Sequence, residues 1–334
     1  MNGFATRFDA AACGLGAVVA CAALFVLVRH ARRVGLSDDG SDAPERKAQR
    51  SAVPLAGGPA LALAAIALAL WPHFGSTEHL VPSIPGDPWH FERGALVLAG
   101  ALAFLTGLVD DVRAAGLGPR AKLAGQTAAG VALALGLQVD GSEPGGIAPA
   151  GVVLAAVAAQ NIANTFDHAD GTLGALAGAA FAAAASSFTG ALAVFLGFNL
   201  GRRRAGGPPY AFLGDSGSHL LGLLLATSSL GLAALTLPAV DLARVVVLRL
   251  RAGEPVWHGD RRHLGQRLGA AGRGPLSVVL WVLACAAPAF LVLAIESGRG
   301  RPPGLGSFLV GAAGSAALLA LCLRLHPEPA AGAR

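Results

Sequence analysis

The sequence predicts an all-α, polytopic integral membrane protein of ten or eleven transmembrane helices, N-terminus outside and C-terminus in the cytoplasm. Three observations predict it. Charged residues make up 13% of the 334-residue chain, about half the ~25% of a soluble domain, against 54% hydrophobic residues and a mean hydropathy of +0.59. Apolar runs of roughly span length recur from one end to the other. Basic residues collect in alternate loops. This pattern excludes a disordered chain, a nucleic-acid-binding basic domain and an ordinary cytosolic enzyme. The expected surroundings are a bilayer, with no nucleic-acid partner.

The first run, Ala10–Val28, reads as a retained helix and not a signal peptide, because Arg29, Arg32 and Arg33 follow it. Further runs are Val53–Trp71, Gly94–Val109, Lys122–Val139, Ile147–Asn164 and Thr172–Ser186. They continue as Thr189–Leu200, Ser216–Leu232, Ala233–Leu250, Pro275–Ile295 and Leu305–Leu323. Thr172–Leu200 is short for two crossings and long for one, with Ser186–Gly190 as its turn. With the N-terminus outside, 21 of the 25 basic residues fall on the cytoplasmic side, and Arg7, Arg93, Arg299 and Arg301 fall outside. Gly and Ala along the runs suit close helix packing. Cys13, Cys21, Cys285 and Cys322 all lie in apolar runs and read as packing residues. With no internal repeat and no linker, residues 1–334 read as one domain with a short cytoplasmic tail at 325–334.

The polar residues gather on the cytoplasmic side. The first loop carries Lys47 and ends at Pro54 and Gly57-Gly58; it reads either as an anchor or as a phosphate-binding edge. The second begins with Asp110-Asp111 and runs to Lys122 and Gln126. Two adjacent carboxylates at the end of an apolar run repel, and a divalent cation or basic groups would stabilise them. In the third, Asn164, Asp167 and Asp170 recur at i, i+3 and i+6, which on a helix is one face. In the fourth, Gly214-Asp215-Ser216-Gly217 sets an acid at a helix start, either as a cap or facing a cation. The fifth, Arg251 to Gly274, holds Arg261, Arg262, His263 and Arg267, a set that suits a diphosphate or an anchor. Asp241 and Arg244 lie three apart in the preceding run, as a neutralised pair or as site lining. Carboxylates and basic groups on one membrane face are what a Mg²⁺-nucleotide diphosphate needs. No GxxxxGK[ST] occurs, which argues against an ATPase.

The motifs DAPERK…VPLAGG, DD…KLAGQ, NIANTFDHADG, FLGFN…FLGDSGSHLLG and LPAVD…DRRHLGQRL run from Asp42 to Leu268. In this order they resemble the polyprenyl-phosphate N-acetylhexosamine-1-phosphate transferases of bacterial membranes (glycosyltransferase family 4), in the branch that uses UDP-GlcNAc or a similar simple sugar. The resemblance implies a cytoplasmic active site in the bacterial inner membrane and a Mg²⁺ cofactor, with Mn²⁺ as a substitute. It implies undecaprenyl phosphate and a UDP-sugar as substrates, UMP as product and a homodimer as the family's habit. By motif, Asp215 would be the metal ligand. Asp110 and Asp111 would be the catalytic pair, near the lipid phosphate or, for Asp111, the metal. Asn164, Asp167 and Asp170 would form the nucleotide- and metal-side cluster, with Asp167 catalytic. His263, Arg261 and Arg262 would contact the diphosphate or sugar, and Lys47 and Lys122 would hold phosphate. The chain departs from the family pattern at His263-Leu-Gly-Gln266, His168, Thr172 and Gln49. It is also shorter between Gly171 and Phe195 and between Ser218 and Pro238, which makes those helices thin for a ~30 Å core. Two other readings compete. A transporter would want acids near the bilayer midplane on both halves of the chain. A catalytically impaired scaffold would fit the altered His loop.

Overall fold

The computed structural model describes residues 9–38, 52–71, 80–84, 87, 89–113, 115–139, 149–202, 207–256 and 261–327. Lys47 and residues 328–334 of the expected tail lie outside them. The described chain is mostly helical. α1 (Ala10–His30) opens on Asp9, whose carboxylate accepts from the N–H groups of Ala11 and Ala12. β1 (Ser37–Asp38) pairs antiparallel with β2 (Val53–Pro54) just before α2 (Gly57–Ala69). β3 (Trp89–Phe91) leads into α3 (Arg93–Val112), capped by Glu92. α4 (Pro119–Leu135) has its proline in the first turn, where no N–H is needed. β4 (Leu137–Val139) returns antiparallel to β3. There follow α5 (Pro149–Phe166), α6 (Thr172–Ala183), α7 (Thr189–Leu200) and α8 (Gly214–Leu225). The last four are α9 (Ser229–Arg251), α10 (Leu264–Ala270), α11 (Pro275–Gly298) and α12 (Leu305–Leu325).

Ten of the eleven apolar runs fall on one helix each; Ser216–Leu232 instead spans the break after α8, because the turn comes at 226–228 and α9 starts at Ser229, and α10 is an extra short helix in the last basic loop. Among the described residues, five helices are long and apolar enough to span a bilayer: α1 with its 3₁₀ extension, α3, α9, α11 and α12. α6, α7 and α8 have 12 residues each. At 1.5 Å per residue that is about 18 Å, well under a ~30 Å core. α6, α7 and α8 are therefore each shorter than a full crossing. The thinness read from the sequence lies in these three helices.

The end where the short helices stop is covered by chain. Leu80 and Val81 are buried there. Buried Asp87 accepts from the N–H groups of Ile84 and Ser229, at the start of α9. The Trp89 indole N–H donates to the Thr227 carbonyl in the α8–α9 turn, at 3.0 Å. At the α8–α9 turn the Thr227 carbonyl and the Ser229 N–H are satisfied this way rather than by lipid, which offers no partners. The core is one large cluster rich in Leu and Ala, in which Phe166, Phe181, Phe188 and Phe195 are fully enclosed, with a small second cluster around Leu24, Ala56, Ala60 and Ala211. The four cysteines are free thiols, Cys285 and Cys322 buried.

Candidate active site at the acidic end of the bundle

The helix ends opposite that cover bring the chain's acids together. α3 and α8 approach closely because residue 107 is Gly: a Cβ there would collide with the Asp215 carbonyl and the Ser216 nitrogen. Gly214 sits at φ +76°, a left-handed turn that sets α8 off with its first N–H groups toward α3. Asp111 lies against that turn. One of its oxygens accepts from the Asp215 N–H at 2.8 Å. The other accepts from the Ser216 N–H at 3.0 Å and the Ser216 hydroxyl at 2.6 Å. It is a carboxylate locked onto a helix N-terminus by charge-assisted bonds. In this arrangement it holds Asp215 in place.

Its neighbour Asp110 faces the other way. One oxygen accepts from the Leu117 N–H and the other from Lys122 Nζ at 3.0 Å. The same ammonium reaches Asp215 at 2.6 Å, so Lys122 stands between the two acids, 24% exposed.

α5 supplies the third group, in a form that corrects the single helical face read from the spacing. The helix ends at Phe166, and residues 167–171 form a turn. The Thr172 hydroxyl donates to the carbonyls of Phe166 and Ala169, and Gly171 takes φ +81°, which stops the helix. Asn164 alone remains helical, and its buried Nδ2 has no hydrogen-bond partner among the described residues. Asp167 follows the last turn. Burial pushes its carboxyl well above the ordinary carboxylate range, and the charges of Asp215, Asp170 and Asp111 push the same way. Asp170 pairs with Arg202 at 2.6 Å; burial still raises it, and the guanidinium opposes the rise.

His263 is buried beside this turn. Its Nδ1 meets Asp241 at 2.9 Å, and its ring stacks on His168 with centroids 4.8 Å apart. Burial, together with neighbouring His263, lowers His168 to about 4, so its imidazole is neutral at physiological pH. Asp241 is fully enclosed and paired on both oxygens, to Arg244 at 2.7 Å and to His263 and the Leu264 N–H. Arg262 pairs with Glu254 at 2.7 Å, and Arg261 lies partly buried in the same turn.

Among the described residues, five acids (Asp110, Asp111, Asp167, Asp170 and Asp215) thus meet two cations, Lys122 and Arg202. Among the described residues no three His, Cys, Asp or Glu side chains converge as a ready-made metal cage. The donor set is hard carboxylate oxygen in excess of positive charge. This suits Mg²⁺, which uses one or two carboxylates and takes its other ligands from phosphate and water.

Four contributors escaped the sequence reading. Arg202 balances Asp170. Asn199 links the α5–α6 turn to Ala211, accepting from the Gly171 N–H and donating to the Ala211 carbonyl. His219 and Gln126 form a buried contact beneath Asp215 and Lys122. Asn199 stands in the FLGFN motif and Gln126 in KLAGQ, but their partners are set by tertiary packing.

Such a bundle, with surplus carboxylates gathered at one end, defines a class of membrane protein with a polar site at the helix ends. The glycosyl transferase family 4 model matches residues 94–233, which carry Asp110, Asp111, Lys122, Asn164, Asp167, Asp170 and Asp215. Two curated proteins are similar to this chain, the decaprenyl-phosphate N-acetylglucosaminephosphotransferases of Mycobacterium tuberculosis strains CDC 1551 / Oshkosh and ATCC 25618 / H37Rv. Each is 28% identical over 252 residues, covering 56% of this chain and 60% of the relative. The match therefore spans about 60% of the relatives' length. The chain is thus similar to glycosyl transferase family 4 over residues 94–233, and to the two decaprenyl-phosphate N-acetylglucosaminephosphotransferases over part of their length.

Proposed function

We propose that the protein transfers a sugar-1-phosphate, GlcNAc-1-phosphate or a similar N-acetylhexosamine, from its UDP-sugar to undecaprenyl phosphate. UMP leaves, and the product starts a lipid-linked envelope glycan at the cytoplasmic face of a bacterial inner membrane. The observation that carries this reading is the surplus of carboxylates around Lys122 at the ends of four helices. The 21-to-4 division of basic residues supports the orientation.

In this reading an oxygen of the lipid phosphate attacks the sugar-bearing β-phosphorus. The bond from that phosphorus to the bridging oxygen breaks, and the bridging oxygen departs with UMP. Asp215 would hold Mg²⁺ together with phosphate oxygens and water; Asp111, already engaged by α8, keeps Asp215 aimed. When bound, the ion would offset charge on the diphosphate and the departing UMP. Lys122 can turn an N–H from the acids to a phosphate oxygen, exchanging one anion for another. Asp167, with its raised proton affinity, accepts the last proton of the lipid phosphate. Asn164 offers its unpaired Nδ2 to the nucleotide side, and Asp170, steadied by Arg202, orients the same turn. His263, Arg261 and Arg262 border the site through the His168 stack. A homodimer is the assembly that this family reading carries with it.

The test is UMP release by purified protein given undecaprenyl phosphate, Mg²⁺ and a panel of UDP-sugars, with and without EDTA. Metal-dependent UMP with one sugar establishes the reaction and names the donor. No UMP with any sugar, from folded protein, overturns it.

A further inference from the structure

Beneath the salt bridge between Lys122 and Asp215 lies a second contact, made by residues one helical turn deeper. Gln126 follows Lys122 by four residues on α4, and His219 follows Asp215 by four on α8. Residues so spaced stack on one face. The two helices therefore meet in two rungs, Lys122–Asp215 at 2.6 Å and Gln126–His219 at 2.9 Å. Gln126 is 1% exposed and His219 fully enclosed.

The proton positions in the lower rung follow from its neighbours. The Asn161 amide on α5 donates to the Val157 carbonyl and to Gln126 Oε1, both at 2.8 Å, which fixes which end of each amide is nitrogen. The Gln126 amide nitrogen then has one N–H for Asn161 Oδ1 and one for His219 Nε2. His219 Nε2 must accept, so the proton sits on Nδ1 and donates to the Asp215 carbonyl at 2.6 Å. Every polar atom of the rung named here is used, across three helices. A fully satisfied buried network holds one geometry and resists others.

The upper rung is of a different kind. It is partly exposed, carries charge, and must open if Lys122 is to meet a phosphate. We propose that His219, with Gln126 and Asn161, is a positioning device that holds α4, α5 and α8 in register. Asp215 and Lys122 then stay opposed when their own contact is exchanged for ligand. The proposal rests on the transferase reading in taking Asp215 as the group that faces the cation.

The experiment uses full-length protein and three variants, His219→Leu, His219→Gln and Gln126→Met, each checked for a single folded species. Binding of Mn²⁺ alone is followed by its electron paramagnetic resonance signal, and UMP release is measured beside it. Losing a partner that orients a ligand typically weakens metal binding about tenfold or more, and His219→Leu is expected to do so. It is also expected to lower kcat while leaving KM for the UDP-sugar within about a factor of two. His219→Gln, whose Oε1 accepts from the Gln126 amide, restores Mn²⁺ binding. Gln126→Met repeats the loss and serves if His219→Leu does not fold. Mn²⁺ affinity equal across all variants overturns the proposal, as does a His219→Gln no better than His219→Leu. If wild type releases no UMP but Mn²⁺ affinity follows the rung, the transferase reading fails and the positioning device stands.

Discussion

Two acid clusters lie side by side in this protein, and they are built on opposite principles. Around Asp241 every oxygen has a partner: Arg244, His263 and the Leu264 N–H surround a carboxylate with no exposure at all. Around Asp215 and Asp167 the acids outnumber the cations among the described residues, one carboxyl is held well above its ordinary range, and a neighbouring amide N–H has no partner among those residues. The first cluster closes on itself and ties α9 to α10. The second is complete only when something positive, or something that brings positive charge with it, arrives. A buried acid is thus not a sign of a site; an incompletely compensated group of acids is.

That contrast can be broken by substitution. The largest effect is expected at Asp215: Asp215→Asn should lower UMP release about 10²–10³-fold while leaving thermal unfolding near wild type, since the group it alters is meant for ligand. At Asp241 the order reverses. Asp241→Leu strands the Arg244 guanidinium and His263 in the interior, and unfolding should ease by about 3–5 kcal/mol, read as a clear fall in Tm. Asp111 stands between the two kinds. Asp111→Ala removes the cap of α8 and should cost about 1–2 kcal/mol. It should also depress activity, because Asp215 loses its anchor; unchanged activity in a destabilised Asp111→Ala would separate the cap from the site.

The smallest effect is a matter of sign. Asp167 binds its proton more tightly in the folded chain than at the ordinary value of 3.8. Its favourable contribution is therefore complete below about pH 3.8 and is lost as pH rises through the raised value. Asp167→Asn should make the metal-free protein more stable than wild type at pH 7–8, with the gap closing toward pH 4, as followed by Tm across a pH series. A variant less stable than wild type at neutral pH would place Asp167 with Asp241 among the satisfied acids.

The helices were legible because lipid-facing and core-facing apolar runs leave a plain record, and Thr189–Leu200 matches α7 at both ends. Their span-forming capacity was less so. Length alone separates α3 from α6, and the chain that covers the short helices comes from Asp87 and Trp89, more than a hundred residues away from the ends they cover. The candidate acids were legible from their position at helix mouths. Their division of labour was not: nothing in an Asp110-Asp111 pair says that one faces Lys122 and the other binds the start of α8. The spacing of Asn164, Asp167 and Asp170 fitted a helix that Gly171 and Thr172 in fact terminate. Partners such as Arg202, His219 and Gln126 are products of tertiary packing, and local pattern does not carry them.

The most direct test of the central claim is the binding of Mn²⁺ to wild type, Asp215→Asn and Asp241→Asn, measured side by side on folded protein. The account predicts affinity lowered by about a hundredfold or more in Asp215→Asn and little changed in Asp241→Asn. Equal affinity in Asp215→Asn and wild type, or a greater loss in Asp241→Asn, would contradict it.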